Sequence, residues 1–283
     1  MDEQRNDHIT LETRIIGASV IVVLLLAFLA LYVAPDHTDQ NFAWTILPRT
    51  SAILLGAGYT AGAYFFARVV TERRWHRVRA GFLAITAFTV CMLAATLLHW
   101  GRFHLGALPF YLWFIIYLLT PFVVPLLWWR NRAHASEELE PGDIRFSSRV
   151  RWVLGLGAAL GVLAFIVVFI RPSILIELAP WKLTELTARV FAGWTILTLV
   201  AVINIARDGR WSATRILMES AMVALALCLL AIPRIWPDLD PGKPMTYLLV
   251  GGMAATLVAF VGMHLWLDAR ARSGATAIVK AES

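Results

Sequence analysis

Two stretches decide the fold: Trp44 to Gly56, WTILPRTSAILLG, and Trp181 to Gly193, WKLTELTARVFAG. Both read W-x5-T-x5-G, and Trp44, Thr50 and Gly56 are answered 137 residues later by Trp181, Thr187 and Gly193. The same separation relates Arg14 to Arg151, Ala27-Phe28 to Ala164-Phe165, Pro35 to Pro172, Cys91 to Cys228 and Trp129 to Trp266. At 136 it relates Trp75 to Trp211, Arg79 to Arg215 and Trp100 to Trp236. Isolated matches mean little in apolar sequence; tryptophan and cysteine pairs in constant register mean more. The pattern predicts one four-helix unit written twice.

The 283 residues are 59% hydrophobic and 16% charged, with a mean hydropathy of +0.69. Soluble domains carry about a quarter charged residues. Here the apolar residues fall into eight long runs, roughly 15–34, 48–68, 80–99, 109–129, 152–170, 185–206, 213–233 and 246–267. Each is long enough to cross about 30 Å of hydrocarbon as a helix. Continuous runs, without dyad alternation, exclude a membrane β-barrel. The expected fold is therefore all-α, eight transmembrane helices in two tandem units: 1–130, a charged linker 131–149, and 150–283. The linker, with Glu137, Glu138, Glu140, Pro141 and Gly142, is expected to be a solvated connector. The first run is too long for the core of a cleavable leader, and acidic residues (Asp2, Glu3, Asp7, Glu12) precede it.

The net charge of +6 sets orientation and is no sign of nucleic-acid binding. Alternate loops and the termini hold 18 Lys and Arg, against 5 on the other side. Cytoplasmic loops carry the excess, so both termini are expected inside. Two units with an even number of spans then share one orientation, giving a pseudo-two-fold axis along the membrane normal. Tryptophans at span ends read as an interfacial belt, and Gly58-x3-Gly62 and Gly157-x3-Gly161 as close helix packing.

Few residues carry chemistry. Pro48 and Glu185 mark the starts of two equivalent helices, with Thr184 a natural cap. Arg49 and Arg189 then share a face near the outer surface, a pair of cations suited to an anionic headgroup or small anionic solute. Glu185 precedes Arg189 by four, a favourable ion-pair spacing. Glu219 lies within the seventh run, four residues after Arg215; charges inside spans are rare and often functional. His99 and His104 bracket the outer end of the third run, and His264 and Asp268 stand four apart. Thr120-Pro121 and Pro125 interrupt the fourth run, where a proline kink would suit a gate. No P-loop, H-E-x-x-H, G-x-S-x-G or paired-Asp motif is present, and no cofactor or metal is expected.

The runs Ala94 to Trp100 and Leu183 to Arg189 resemble those of bacterial polytopic membrane proteins, chiefly of actinobacterial type. The resemblance implies a bacterial plasma membrane and carries no activity and no site. The leading expectation is a small-solute or ion conduit between the two units, with Arg49, Thr50, Thr187, Arg189 and Glu219 along its path. The alternative is a non-catalytic protein that binds lipid or a partner. A lipid-modifying enzyme at the outer surface, using His99, His104, Asp238 or Asp240, is third. A conduit needs a polar cavity between units, a binder a groove or patch, and an enzyme His99 and His104 converging with an acid.

Overall fold

The computed structural model describes residues 7–282, without the side chains of residue 275 and of 277–282. Asp2, Glu3 and Arg5, and the side chain of Lys280, lie outside the described residues. Within them the chain is 81% helix and has no strands. Eight helices are long and apolar enough to cross a membrane. They are α1 (Leu11–Phe28, continued by a wide turn to Val33), α2 (Arg49–Thr71), α3 (Arg79–Leu98), α4 (Leu108–Asn131), α5 (Ser148–Ile170), α6 (Glu185–Asp208), α7 (Trp211–Leu230) and α8 (Pro244–Glu282). The protein is thus a multi-pass α-helical membrane protein. Helix α4 runs unbroken through Pro121 and Pro125.

The helices form two rows. One runs α1, α2, α7, α8; the other runs α4, α3, α6, α5. Helix α2 therefore packs on α7, and α3 on α6. The central helices are α2, α3, α6 and α7. In its most apolar stretch α2 is 56% buried, whereas α5 is 6% and α8 0% buried. The outer helices turn Leu, Val and Ile outward, as a lipid-facing surface requires.

Small residues set the close approaches. Gly56 lies against the wide turn of α1: a Cβ there would stand 2.8 Å from both the backbone N and the Cβ of Tyr32. At Gly58 it would meet the Trp194 ring at 2.8 Å, and at Gly161 Leu199 at 2.5 Å; at Gly157 nothing lies within 4 Å. Only one glycine of the second G-x3-G pair is thus a packing site. The tryptophans also divide. Trp100, Trp129, Trp236 and Trp266 are exposed at helix ends, as a belt predicts, but Trp44, Trp75 and Trp211 are buried. Position at a span end does not distinguish a lipid-facing indole from one turned inward.

Arginines fasten the outer helices. Arg14 donates from Nη2 to the Glu72 carbonyl (2.6 Å) and from Nη1 to that of Val70, closing the end of α2. Arg151 donates to the carbonyls of Ala206 (2.8 Å) and Arg207 (2.7 Å) at the end of α6. In both cases a guanidinium from a helix start satisfies carbonyls that have no partner within their own helix.

Gly56→Ala is expected to lower stability by about 1–3 kcal/mol, because the added methyl meets backbone. Gly157→Ala is expected to be neutral or slightly stabilising. Thermal unfolding of both variants in one detergent compares them; equal melting would refute the close contact at Gly56.

Candidate functional site

The arginine-rich end of the bundle carries a connected set of charges. It begins on the last two turns of α2. Tyr64 and Arg68 are one helical turn apart and reach the same acceptor on α7, Glu219. Glu219 Oε2 accepts from Tyr64 Oη (2.6 Å) and from Arg68 Nη1 (2.6 Å), while Oε1 accepts from Arg215 Nε (3.0 Å). Arg215 also reaches Asp268 of α8 at 3.1 Å, and Asp268 accepts from Trp211 Nε1 at 2.9 Å. In the other direction Arg68 contacts Glu72 (3.5 Å), Glu72 contacts Arg77 (3.1 Å), and Arg77 Nε donates to Glu140 (2.8 Å). Signs alternate from Glu140 to Asp268, so each charge is flanked by its opposite. Glu219 is the ninth residue of α7, about 12 Å from the helix start at 1.5 Å per residue. Its local partner Arg215 was legible in the sequence. Tyr64 and Arg68 were not, although their spacing of four places them on one face.

The linker takes part in this site and is not a free connector. Asn131 is buried, donates to Thr13 Oγ1 at 2.7 Å and accepts from the Thr10 amide at 3.0 Å. Arg210, buried beside Asp208 at 2.7 Å, donates to the carbonyls of Ser136 (3.3 Å) and Glu138 (3.0 Å). Glu140 meets His76, which is 1% exposed. His76 Nε2 lies 3.0 Å from Glu140 Oε1 and 3.1 Å from Ser212 Oγ; Nδ1 bonds Asp7 Oδ2. A ring held between two carboxylates is drawn toward its protonated form. Burial works to lower its pKa, but the hydrogen bonds with Asp7 and Glu140 outweigh burial and raise it. Burial likewise works to raise Glu140, and His76 and Arg77 outweigh it, holding its carboxyl well below the usual range. Glu72 is lowered too: the Arg73 amide and Arg77 overcome its burial.

Ser212, His76 and Asp7 have the connectivity of a hydrolytic triad. The proton inventory argues against that chemistry. Glu140 occupies the same Nε2 that a serine would need as base, and Ser212 Oγ donates to Asp143 Oδ2 at 2.6 Å. The carboxylate at Nε2 favours the protonated ring, and the hydroxyl is already committed to Asp143. Two clefts open at this end. One, of about 130 Å³, is lined by Arg68, Glu72, Arg77, Glu140, Ser212 and Arg215 among others. The second, of about 720 Å³, lies beside Arg79 and the end of α4.

At the opposite end the sequence-derived candidates are separated. Thr50 is buried and gives Asp238 Oδ2 both its amide (3.2 Å) and its hydroxyl (2.6 Å), so Asp238 caps α2. Arg49 lies 3.9 Å from the same carboxylate. Thr187 is also buried, and its amide donates to the Thr184 hydroxyl at 3.2 Å, the cap read from the sequence. Arg189 donates to the Phe169 carbonyl (3.0 Å), His99 Nε2 (2.7 Å) and, more distantly, Glu185 (3.4 Å). Burial, then the Arg189 charge, lowers the His99 pKa, so the ring is neutral and accepts. Each arginine thus has its own acceptors. His104 bonds Thr45 (3.0 Å) and the Phe42 carbonyl (3.2 Å), so the contacts of neither histidine bring it to Asp238 or Asp240.

Between the two ends lies an aromatic layer. Tyr59 and Tyr117 share a hydrogen bond of 3.2 Å. Trp194 packs edge-on to Tyr59 at 5.5 Å and lies 4.8 Å from Phe88. All four residues stand near the midpoints of their helices. Comparison with family models, with curated proteins and with solved structures found no match.

The clamp on His76 sets a pH window. The imidazolium contribution is complete below its ordinary value, about 6.5, and is lost as pH rises through the elevated one. The Glu72 and Glu140 contributions are present above the ordinary carboxylate value and are lost as pH falls through their lowered ones. Tryptic cleavage at Arg145 and Arg149, normalised to an unfolded substrate at each pH, is expected to accelerate on the alkaline side. His76→Gln is expected to remove that dependence; an unchanged profile would show that the clamp does not hold the linker.

Proposed function

We propose that this chain is a non-catalytic membrane protein that binds lipid or a partner at its arginine-rich end, in a bacterial plasma membrane. The observation that carries this reading is the aromatic layer. Gly58 of α2 lies directly against Trp194 of α6, and Tyr59, Phe88 and Tyr117 fill the space around it. A conduit needs polar lining at this depth, whereas both clefts described above lie at the arginine-rich end. A small-solute or ion conduit is the second reading. It is favoured by Glu219, an acid held deep in α7 whose partners Arg68 and Arg215 line the smaller cleft.

The same reading places the arginine-rich end, and both termini, in the cytoplasm. It also takes the chain as an internal duplication about an axis along the membrane normal. Support comes from equivalent contacts. Arg14 to Val70 and Arg151 to Arg207 are one contact repeated 137 residues on. Leu24 fits over Gly62, and at the equivalent positions Gly161 receives Leu199: knob and hole have changed places. The row order pairs α2 with α7 and α3 with α6, contacts that the same axis would interchange.

Two experiments test this. In a Cys91→Ser, Cys228→Ser background, Lys182→Cys is expected to react with an impermeant thiol reagent in intact cells. Arg272→Cys is expected to react only in inverted vesicles, and Thr89→Cys, in the aromatic layer, in neither. Reversed labelling of the first two would sink the orientation. Reaction at Thr89→Cys would sink the dry bundle and restore the conduit. For the duplication, Gly62→Leu alone is expected to cost about 1–3 kcal/mol by overpacking, and adding Leu24→Gly to recover most of it. Failure to recover would count against equivalence of the two helix pairs.

A further inference from the structure

At the arginine-rich end the last turn of α4, the first turn of α3 and the linker residues Ala133, Ala135 and Glu137 enclose an open groove of about 720 Å³. Its cations are Arg79, Arg130 and Arg132, and Trp129 forms part of its wall. These cations differ in what they already hold. Arg79 is paired with Asp208 at 2.6 Å and with Glu137 at 3.3 Å, and Arg130 with Glu12 at 2.9 Å. Arg132 has no carboxylate partner among the described residues. Its guanidinium lies over Trp128 and Trp129, 5.8 and 5.9 Å from the ring centroids. A guanidinium drawn to indole rings spends no N–H on a carboxylate and keeps its donors for an oxyanion. Toward the membrane from the groove, Phe122, Leu126 and Trp129 are exposed along one face of α4. An arginine without a carboxylate partner thus lines the groove, and Trp129 joins that groove to an apolar strip.

We propose that this groove seats an anionic glycerophospholipid, its phosphate held by Arg132 with Arg130 beside it and an acyl chain along Phe122 and Leu126. The proposal rests on the binding reading above and names its ligand. The ligand chemistry is that of an amphiphile, because phosphate recognition and apolar contact are adjacent. Arg–phosphate pairs are short, charge-assisted and frequently bidentate. The arrangement is single. The positions 137 residues after Arg130 and Arg132 are Leu267 and Ala269, so the second half of the chain builds no equivalent groove and one tightly held lipid is expected per chain.

The test is native mass spectrometry of the full chain, released from nanodiscs of phosphatidylcholine containing a minor fraction of phosphatidylglycerol. One phosphatidylglycerol is expected to be retained in preference to phosphatidylcholine. Arg132→Gln is expected to weaken retention about tenfold, or about 1.4 kcal/mol. Arg145→Gln with Arg149→Gln, which removes two basic residues at the same end outside the groove, is expected to leave retention unchanged. Equal retention of the two lipids would overturn the proposal. So would an equal loss in the Arg145, Arg149 variant, which would assign binding to diffuse surface charge. Displacement of the lipid by inorganic phosphate would make the groove a free-anion site and overturn it too. Failure here with Thr89→Cys unlabelled would leave binding of a protein partner as the surviving reading. Labelling at Thr89→Cys would restore the conduit reading, while the lipid result alone decides the groove.

Discussion

A charge at the edge of hydrocarbon must be neutralised by position, and that constraint organises the arginine-rich end. Glu219 is largely withdrawn from solvent, and Tyr64, Arg68 and Arg215 take its two oxygens. Arg68 and Arg215 carry charge of their own and need Glu72 and Asp268 in turn. Breaking a fully buried pair by removing one partner costs about 3–5 kcal/mol, and these pairs, with arginines partly exposed, contribute less. A misplaced methyl in the apolar layer costs about 1–3 kcal/mol. Charge pairing therefore adds to packing in joining helices at this end. It joins α2 to α7 and α8, and the same logic joins α3 to the end of α6 through Arg79 and Asp208.

The middle of the bundle obeys a different rule. Lipid tails are as apolar as leucine, so helices associate there by shape and by satisfied polar groups. Gly56 and Gly58 let Tyr32 and Trp194 approach. The Tyr59–Tyr117 pair satisfies two hydroxyls in a place where an unpaired one would be costly. A filled centre and a charged end divide the molecule into a part that packs and a part with surface available for recognition.

The sequence made the eight spans legible because length and hydropathy alone define a crossing helix. It also made the Thr184 cap legible, since that contact reaches only three residues. What escaped it are contacts that join distant segments. Nothing near Thr50 announces that Asp238 will cap it. Glu140 reads as one of several linker acids, yet it alone meets both His76 and Arg77. Trp44, Trp75 and Trp211 look like belt residues because burial depends on which way a helix end faces. The row order was hidden for the same reason: an apolar run in lipid does not name its neighbour.

Row order and charge pairing together have a consequence for biogenesis. The ribosome delivers α2, with Arg68, well before α7, with Glu219. Until residue 219 has been inserted, Arg68 lacks its closest carboxylate at the membrane edge. His76 waits likewise for Glu140 and Ser212. Within the first four spans the Tyr59–Tyr117 bond already joins α2 to α4, but the face of α2 that packs on α7 and the face of α3 that packs on α6 have no cover until the second half arrives. Both rows are filled only when α6, α7 and α8 have arrived, so the second half of the chain completes the packing of the first.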